Sequence, residues 1–373
     1  MKSLFWVSGL LVAFTYAGYP LCAYIRARFW PVAIRKASIF PTVTVLLAAH
    51  NEQKNLPAKL ASLAALEYPP ELIEIIVVSD GSTDETNGIL RNWKASNRHS
   101  VTLPGRVGKS AALNKGMSQG RNEIVVFTDA RQLLAPDALK NLVMPFADAS
   151  IGCVSGELML AEGSGTGSSG GVGLYWRLEK NIRRWEAEAG STIGATGALY
   201  AVRKSLLSPI PEGTILDDVY VPMLVARQHQ RVIFESQATA WDDLKPDPKQ
   251  EFRRKLRTLF GNYQLLQVAP WILGSSNPLR LQFVCHKLLR LVAPFALLGV
   301  FLSAMWLRRG IYEAALLLQL VFYALAFLSV FSTKASFLTR LSNISLAFIV
   351  LNAAAAVAFI YFVTGRKALW TRT

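Results

Sequence analysis

Three short apolar runs of this chain end alike, in residues able to do chemistry. TVTVLLAA (42–49) is followed by His50-Asn51-Glu52, IEIIVVSD (73–80) closes on Asp80-Gly81-Ser82, and EIVVFTDA (123–130) closes on Asp129-Ala130-Arg131. Carboxylates accept hydrogen bonds from the N–H of a base and from ribose hydroxyls, so Asp80 and Glu52 are candidates for holding a nucleoside. Asn51 supports that turn or adds a contact. A turn and a helix cap are the alternative for Asp80-Gly81-Ser82 and Asp84. Asp84 is read as structural, and Asp80, at the carboxyl edge of its strand, as functional. GRVGKSAALN (105–114) carries glycines and Lys109 into a helix without Walker spacing. A helix N-terminus beside a lysine favours a phosphate-bearing ligand, a solvated lysine being the plainer alternative. Farther on, Asp217 and Asp218 stand side by side in ILDDVYVP. Adjacent acids repel, and burial raises the pKa of one toward the range of a general base; helix capping is the alternative for either.

The elements that must position these residues follow from the pattern. Short β-branched runs alternate with helical stretches, one from about 54 to 66 and another from Lys109 to about Gln119. That alternation predicts an α/β fold with an open, twisted, mostly parallel, Rossmann-like sheet. Ligands of such sheets bind beyond the carboxyl ends of the strands, where the three acid-bearing segments fall. GSGTGSSGG (163–171) reads as a flexible surface loop.

The apolar excess lies elsewhere. Hydrophobic residues make up 52% of the 373 residues and charged ones 17%, and the excess is confined to the first 25 and the last 90. Residues 4–24 form a charge-free run long enough to cross a bilayer, and no small-residue cleavage site follows it, so an anchor is expected. Further spans are expected at about 288–306, 311–331 and 342–363. The net charge of +15 gathers beside these runs, at Arg26, Arg28, Arg35 and Lys36, then at Arg280, Lys287 and Arg290. That placement points to anionic lipid and to a cytoplasmic segment from residue 25 onward. No nucleic-acid-binding signature accompanies it, so nucleic acid is not expected as a partner. Four crossings would put both termini outside, against the basic Arg366, Lys367 and Arg372 after the last span. Cys22, Cys153 and Cys285 are isolated and odd in number, which argues against a disulfide framework and a structural zinc site.

AAHNEQKNL, IIVVSDGSTDET, GRVGKSAALNKG and IVVFTDA, in this order and spacing, resemble the membrane-bound family 2 glycosyltransferases, inverting enzymes with the GT-A fold. The resemblance runs from about 40 to 270, and the last apolar span closing on TGRKALW extends it. It implies that Lys109 and Asn114 line the donor pocket. Asp129 falls at the first position of the family's Asp-x-Asp metal motif, implying Mg²⁺ or Mn²⁺, with Arg131 in place of the second acid. The resemblance makes Asp218 the catalytic base and Asp217 a supporting acid. QEFRRKLRTLFGNYQLL (250–266) matches the region of a Gln-x-x-Arg-Trp motif, giving Gln250 and Arg253 to the diphosphate and acceptor side, with Arg254 where tryptophan is expected. The missing tryptophan argues against processive synthesis. An interfacial amphipathic helix is the other reading of Arg253, Arg254 and Arg257.

The sequence thus predicts an anchor (1–25), a GT-A glycosyltransferase domain (40–270), and an interfacial helix with about three transmembrane helices (271–373). Its expected reaction moves a sugar from a nucleotide-sugar, a UDP-sugar by preference, to a lipid-linked or saccharide acceptor. The expected place is the cytoplasmic face of the plasma (inner) membrane, in cell-surface glycan or polysaccharide synthesis. A membrane-bound nucleotidyltransferase and a non-catalytic protein retaining a nucleotide pocket are the alternatives.

Overall fold

The computed structural model describes residues 1–93, 95–160, 171–242, 248–329 and 337–366. Most of the Gly/Ser segment at 163–171, together with Lys334, Lys367 and Arg372, lies outside them.

Eight strands form one sheet: β1 Val43–Ala49, β2 Ile73–Asp80, β3 Arg98–Leu103, β4 Ile124–Phe127, β5 Leu133–Leu134, β6 Ile151–Leu160, β7 Tyr200–Arg203 and β8 Arg231–Asp242. Their order is β3-β2-β1-β4-β7-β6-β8-β5. The half made of β3, β2, β1 and β4 is parallel throughout. Across the rest the sheet is mixed: β7 runs antiparallel to both β4 and β6, and β5 antiparallel to β8, while β6 and β8 are parallel. The reversal has a positional consequence. Phe127, the last residue of β4, pairs with Tyr200, the first of β7, so the residues after β4 and those before β7 meet at one edge.

β1 is apolar but for Thr44 because both faces of the sheet are covered. Val43, Val45 and Leu47 join one core cluster with Leu56, Leu60 and Leu63 of the helix Leu56–Ala64. Leu46 faces the other side, against Leu113 of the helix Lys109–Gln119. Strand β4 stops at Phe127, sooner than the sequence pattern predicts, which leaves Asp129 two residues out on the connecting turn.

Among the described residues four helices are long and apolar enough to cross a membrane: Lys2–Phe29, Arg280–Leu307, Ile311–Ser329 and Leu341–Val363. They match the expected spans. The first two run beyond the apolar stretch to include Arg26 and Arg28 at one end, and Arg280, Lys287 and Arg290 at the other. A single turn of π-helix interrupts each, at Phe14–Gly18 and Val284–Leu288.

Candidate active site

The three acid-bearing segments do converge, on a cavity of about 370 Å³ at the carboxyl ends of β1, β2 and β4. Its lining includes His50 and Glu52 after β1, Asp80 at the end of β2, Asp129, Arg131 and Gln132 after β4, Lys109 at a helix start, and Arg106 and Arg257. This is where an open α/β sheet holds ligands.

Asp80 is 3% exposed and already engaged. The backbone N–H of Val107 donates to its Oδ1 at 2.6 Å and that of Gly108 to its Oδ2 at 2.9 Å. One carboxylate therefore ties the glycine loop to the strand end and sets where Lys109 begins its helix. Glu52 accepts from Asn55 Nδ2 at 2.7 Å, its own N–H being held by Thr86 Oγ1 at 2.8 Å. Asn51 takes the supporting role. Its Oδ1 accepts from the Thr83 N–H at 2.8 Å, its φ is +55°, and it is not among the lining residues. Asp84 is structural, accepting from the Thr86 N–H at 3.0 Å at the start of the helix Thr86–Asn92.

Lys109 links the cavity to the acidic pair. Its Nζ lies 2.9 Å from Asp129 Oδ1 and 3.2 Å from Asp217 Oδ1. Burial opposes the ammonium charge, yet Asp129 and Asp217 outweigh it and raise the pKa above the usual lysine range. Asp129 and Asp218 both approach Gly197, where an added Cβ would meet Asp129 Oδ2 at 3.4 Å and Asp218 Oδ2 at 3.5 Å. Antiparallel β7 brings Gly197 there. The main chain is pinned as well, since the Ala195 N–H donates to the Asp218 carbonyl at 2.8 Å. Burial and the neighbouring Asp217 push the Asp218 carboxyl up to about 6, with Lys109 pulling the other way. Behind them Tyr200 is fully buried and stacked on Phe127 at 4.7 Å.

Other expected residues lie differently. Asn114 faces away from the cavity: its Nδ2 donates to the Ile210 carbonyl at 2.8 Å, and its Oδ1 accepts the Ile210 N–H at 2.8 Å. From the helix Pro248–Val268, Arg257 reaches the cavity, whereas Gln250, Arg253 and Arg254 are not in its lining. Gln250 and Arg253 are exposed, and Arg254 pairs with Glu251 one turn back. Arg131 lines the cavity with its guanidinium on Asp242, Nη2 to Oδ2 at 2.8 Å.

Sequence reasoning missed Lys59 altogether. It is fully buried at the edge of the site, its Nζ donating to Thr128 Oγ1 and to the Gln132 carbonyl, each at 2.7 Å. Burial pushes its pKa down to about 7, with Asp129 opposing. The signal was present: Lys59 sits on the apolar stripe of Leu56, Leu60 and Leu63, where a helix faces its core. His50, in the polar end of β1, also joins the site: its Nδ1 lies 2.6 Å from the Asp80 carbonyl.

Comparison with known proteins agrees with this fold. Residues 44–210 match the model of the glycosyl transferase family 2. A probable glycosyltransferase of Bacillus subtilis, YdaM, is 26% identical over 238 residues, 60% of this chain and 55% of that protein. A poly-β-1,6-N-acetyl-D-glucosamine synthase of Staphylococcus epidermidis is 26% identical over 229 residues, with the same two shares. The matched region thus spans little more than half the length of these relatives. Among solved structures, the mannosyltransferase PcManGT of Pyrobaculum calidifontis superposes with a TM-score of 0.74 at 23% identity, covering 98% of this chain and 100% of that one. The fold is shared through the apolar helices as well as the sheet. The segment that carries Asp80, Lys109 and Asp129 thus matches the glycosyl transferase family 2, in a GT-A fold flanked by helices long and apolar enough to cross a membrane.

Proposed function

We propose that this chain moves a sugar from a nucleoside diphosphate-sugar to an acceptor hydroxyl in one inverting displacement, with Asp218 as the base. The observation that carries the reading is the meeting of Asp129 and Asp218 at Gly197. One acid opens onto the cavity that suits a donor. The other holds a carboxyl whose pKa of about 6 suits proton abstraction near neutrality. Glu52, Asp80 and His50 offer acceptors for the nucleoside, while Lys109, Arg106, Arg131 and Arg257 bring positive charge to the diphosphate. Asp217 keeps Lys109 in place between donor and base.

A divalent cation is implied by the structural neighbour, which was solved with GDP-mannose and Mn²⁺. The donor set fits one modestly. Among the described residues no three His, Cys, Asp or Glu side chains gather as a metal cage. Hard cations at phosphates, however, commonly take one or two carboxylates and complete their shell with phosphate oxygens. Asp129 supplies one such carboxylate, and Arg131, directed to Asp242, does not supply a second. A Mg²⁺ or Mn²⁺ held by Asp129 with the donor's own phosphates would neutralise charge on the leaving diphosphate.

We take the donor to be a UDP-sugar and the acceptor a lipid-linked or saccharide hydroxyl at the cytoplasmic membrane face; the similarity to a poly-β-1,6-N-acetyl-D-glucosamine synthase supports a saccharide product. The test uses full-length protein in nanodiscs with a panel of UDP- and GDP-sugars and Mn²⁺, following release of the nucleoside diphosphate. Turnover is expected with at least one donor, and Asp218→Asn is expected to lose it by ~10³-fold or more while still binding the nucleotide. Full turnover in Asp218→Asn would remove the base assignment. Pyrophosphate release from a nucleoside triphosphate would favour nucleotidyl transfer instead.

A further inference from the structure

Lys59 has no part in the chemistry above, yet its surroundings tie it to both reacting carboxylates. It lies on the helix Leu56–Ala64 with 0% of its surface exposed. Its two acceptors, Thr128 Oγ1 and the Gln132 carbonyl, stand on either side of Asp129 in the chain. Both are neutral oxygens. A buried ammonium held by neutral acceptors is costly, and a leucine at this stripe position would pack without that cost. The gain is therefore sought in geometry. Thr128 passes the constraint on: its Oγ1 donates to the Ala198 carbonyl at 2.7 Å, across the junction where Phe127 of β4 pairs with Tyr200 of β7. Ala198 adjoins Gly197, against whose Cα side Asp129 Oδ2 and Asp218 Oδ2 converge.

We propose that Lys59 is a positioning residue, whose Nζ clamps the turn Thr128–Gln132 and, through Thr128, the segment Thr196–Ala198, so that Asp129 is held in place against Asp218. The inference deepens the nucleotide-sugar reading and rests on it for its effect on the reaction. The clamp itself is a property of the fold and can be read without any donor.

Lys59→Met keeps the length of the side chain and removes its donors. Full-length wild type, Lys59→Met, Thr128→Val and the double variant are compared in nanodiscs. Hydrogen exchange is followed on peptides covering 128–132 and 196–199, together with Tm and UDP or GDP affinity in Mn²⁺. Lys59→Met is expected to speed exchange at least tenfold in both segments, with other strands of the sheet unchanged. It should also weaken nucleotide binding about tenfold, and the double variant should be no worse than the poorer single one. A merely structural lysine would lower Tm and leave the affinity of the folded protein alone. Unchanged exchange in either segment, or full additivity in the double variant, overturns the proposal. A wild type that binds neither nucleotide sinks the nucleotide-sugar reading, while the exchange result still decides the clamp.

Discussion

At Gly197 two carboxylates come together beside a residue with no side chain of its own, and the ionisation of one of them sets a pH dependence. Only the ionised Asp218 can take the acceptor's proton. Because burial and Asp217 raise its pKa to about 6, the fraction in the active form falls as pH drops through that value. We expect log(kcat/KM) to climb with unit slope up to about pH 6 and then level off, measured by initial rates of nucleotide release from pH 4.5 to 8. Asp217→Asn should move the limb to lower pH: it removes a like charge and leaves Lys109 freer to favour the Asp218 carboxylate. A limb unmoved by that change would mean that Asp217 does not tune the base. Gly197→Ala probes the same point sterically. Its methyl would stand at ordinary contact distance from both oxygens, so the fold should survive, with Tm within a few degrees. Turnover should fall by tenfold or more, because the methyl fills the space where acceptor and donor meet.

Among the elements, the loops beyond the strands do the positioning, and they differ in how much of this the sequence discloses. Acids after β-branched runs were legible because an open α/β sheet has only one end where they can collect. The helix expected from Lys109 to about Gln119 is found at Lys109–Gln119, with Gly108 and Gly120 at its ends. Polar type alone could not tell a ligand from a tie. Asn114 spends both ends of its amide on Ile210, and Arg257 instead of Arg253 meets the cavity because packing of Leu256 and Phe260 sets the rotation of their helix. The reversal of β7, which completes the site, leaves no mark in its own four residues. Gly81 gives the strictest test at this scale. Its φ is +59°, and a Cβ there would lie 2.3 Å from the Arg106 nitrogen and 2.4 Å from the Gly105 carbonyl carbon. Gly81→Ala combines a left-handed backbone strain of about 1–2 kcal/mol with a clash. It should push the Gly105–Gly108 segment off Asp80, lowering Tm by several degrees and weakening UDP or GDP binding at least tenfold. Gly105→Ala is the control, having open space around its Cβ position, and should change neither by much. Equal behaviour of the two variants would refute the claim that Asp80 acts by holding this loop.

For the whole molecule, the apolar helices and their attachment to the sheet decide which side of a membrane each end occupies. The helix Lys2–Phe29 leaves the catalytic domain at its far end, where the Val32 N–H bonds the Glu188 carbonyl at 2.8 Å and Arg231 holds the carbonyls of Val32 and Ala33. Phe5, about 36 Å up that helix at 1.5 Å per residue, packs edge-on to Tyr312 at 4.8 Å between ring centres. The start of Ile311–Ser329 is therefore remote from the catalytic domain. The end of the last helix is not. Phe362 stacks on Tyr263 at 5.1 Å and touches Phe260, both on the helix that carries Arg257. From these contacts we predict that the two last helices together make one net crossing in place of two. That topology would place Arg366 on the same side as Arg26, Arg28, Arg280, Lys287 and Arg290 and remove the conflict between four full crossings and the basic tail. At that level His286 is fully buried between Glu186, 2.7 Å from Nδ1, and Glu179, 3.1 Å from Nε2, with Lys287 on Glu179 at 2.8 Å. This polar clasp joins the helix Arg280–Leu307 to the domain helix Gly171–Glu188. An epitope at the C-terminal end should accordingly be protected from protease in right-side-out vesicles and cut in inverted ones. An epitope ahead of Lys2 should behave in the opposite way. Equal accessibility of the two ends from one side would require four full crossings, and would mean that Phe362 does not rest on Tyr263 in the membrane.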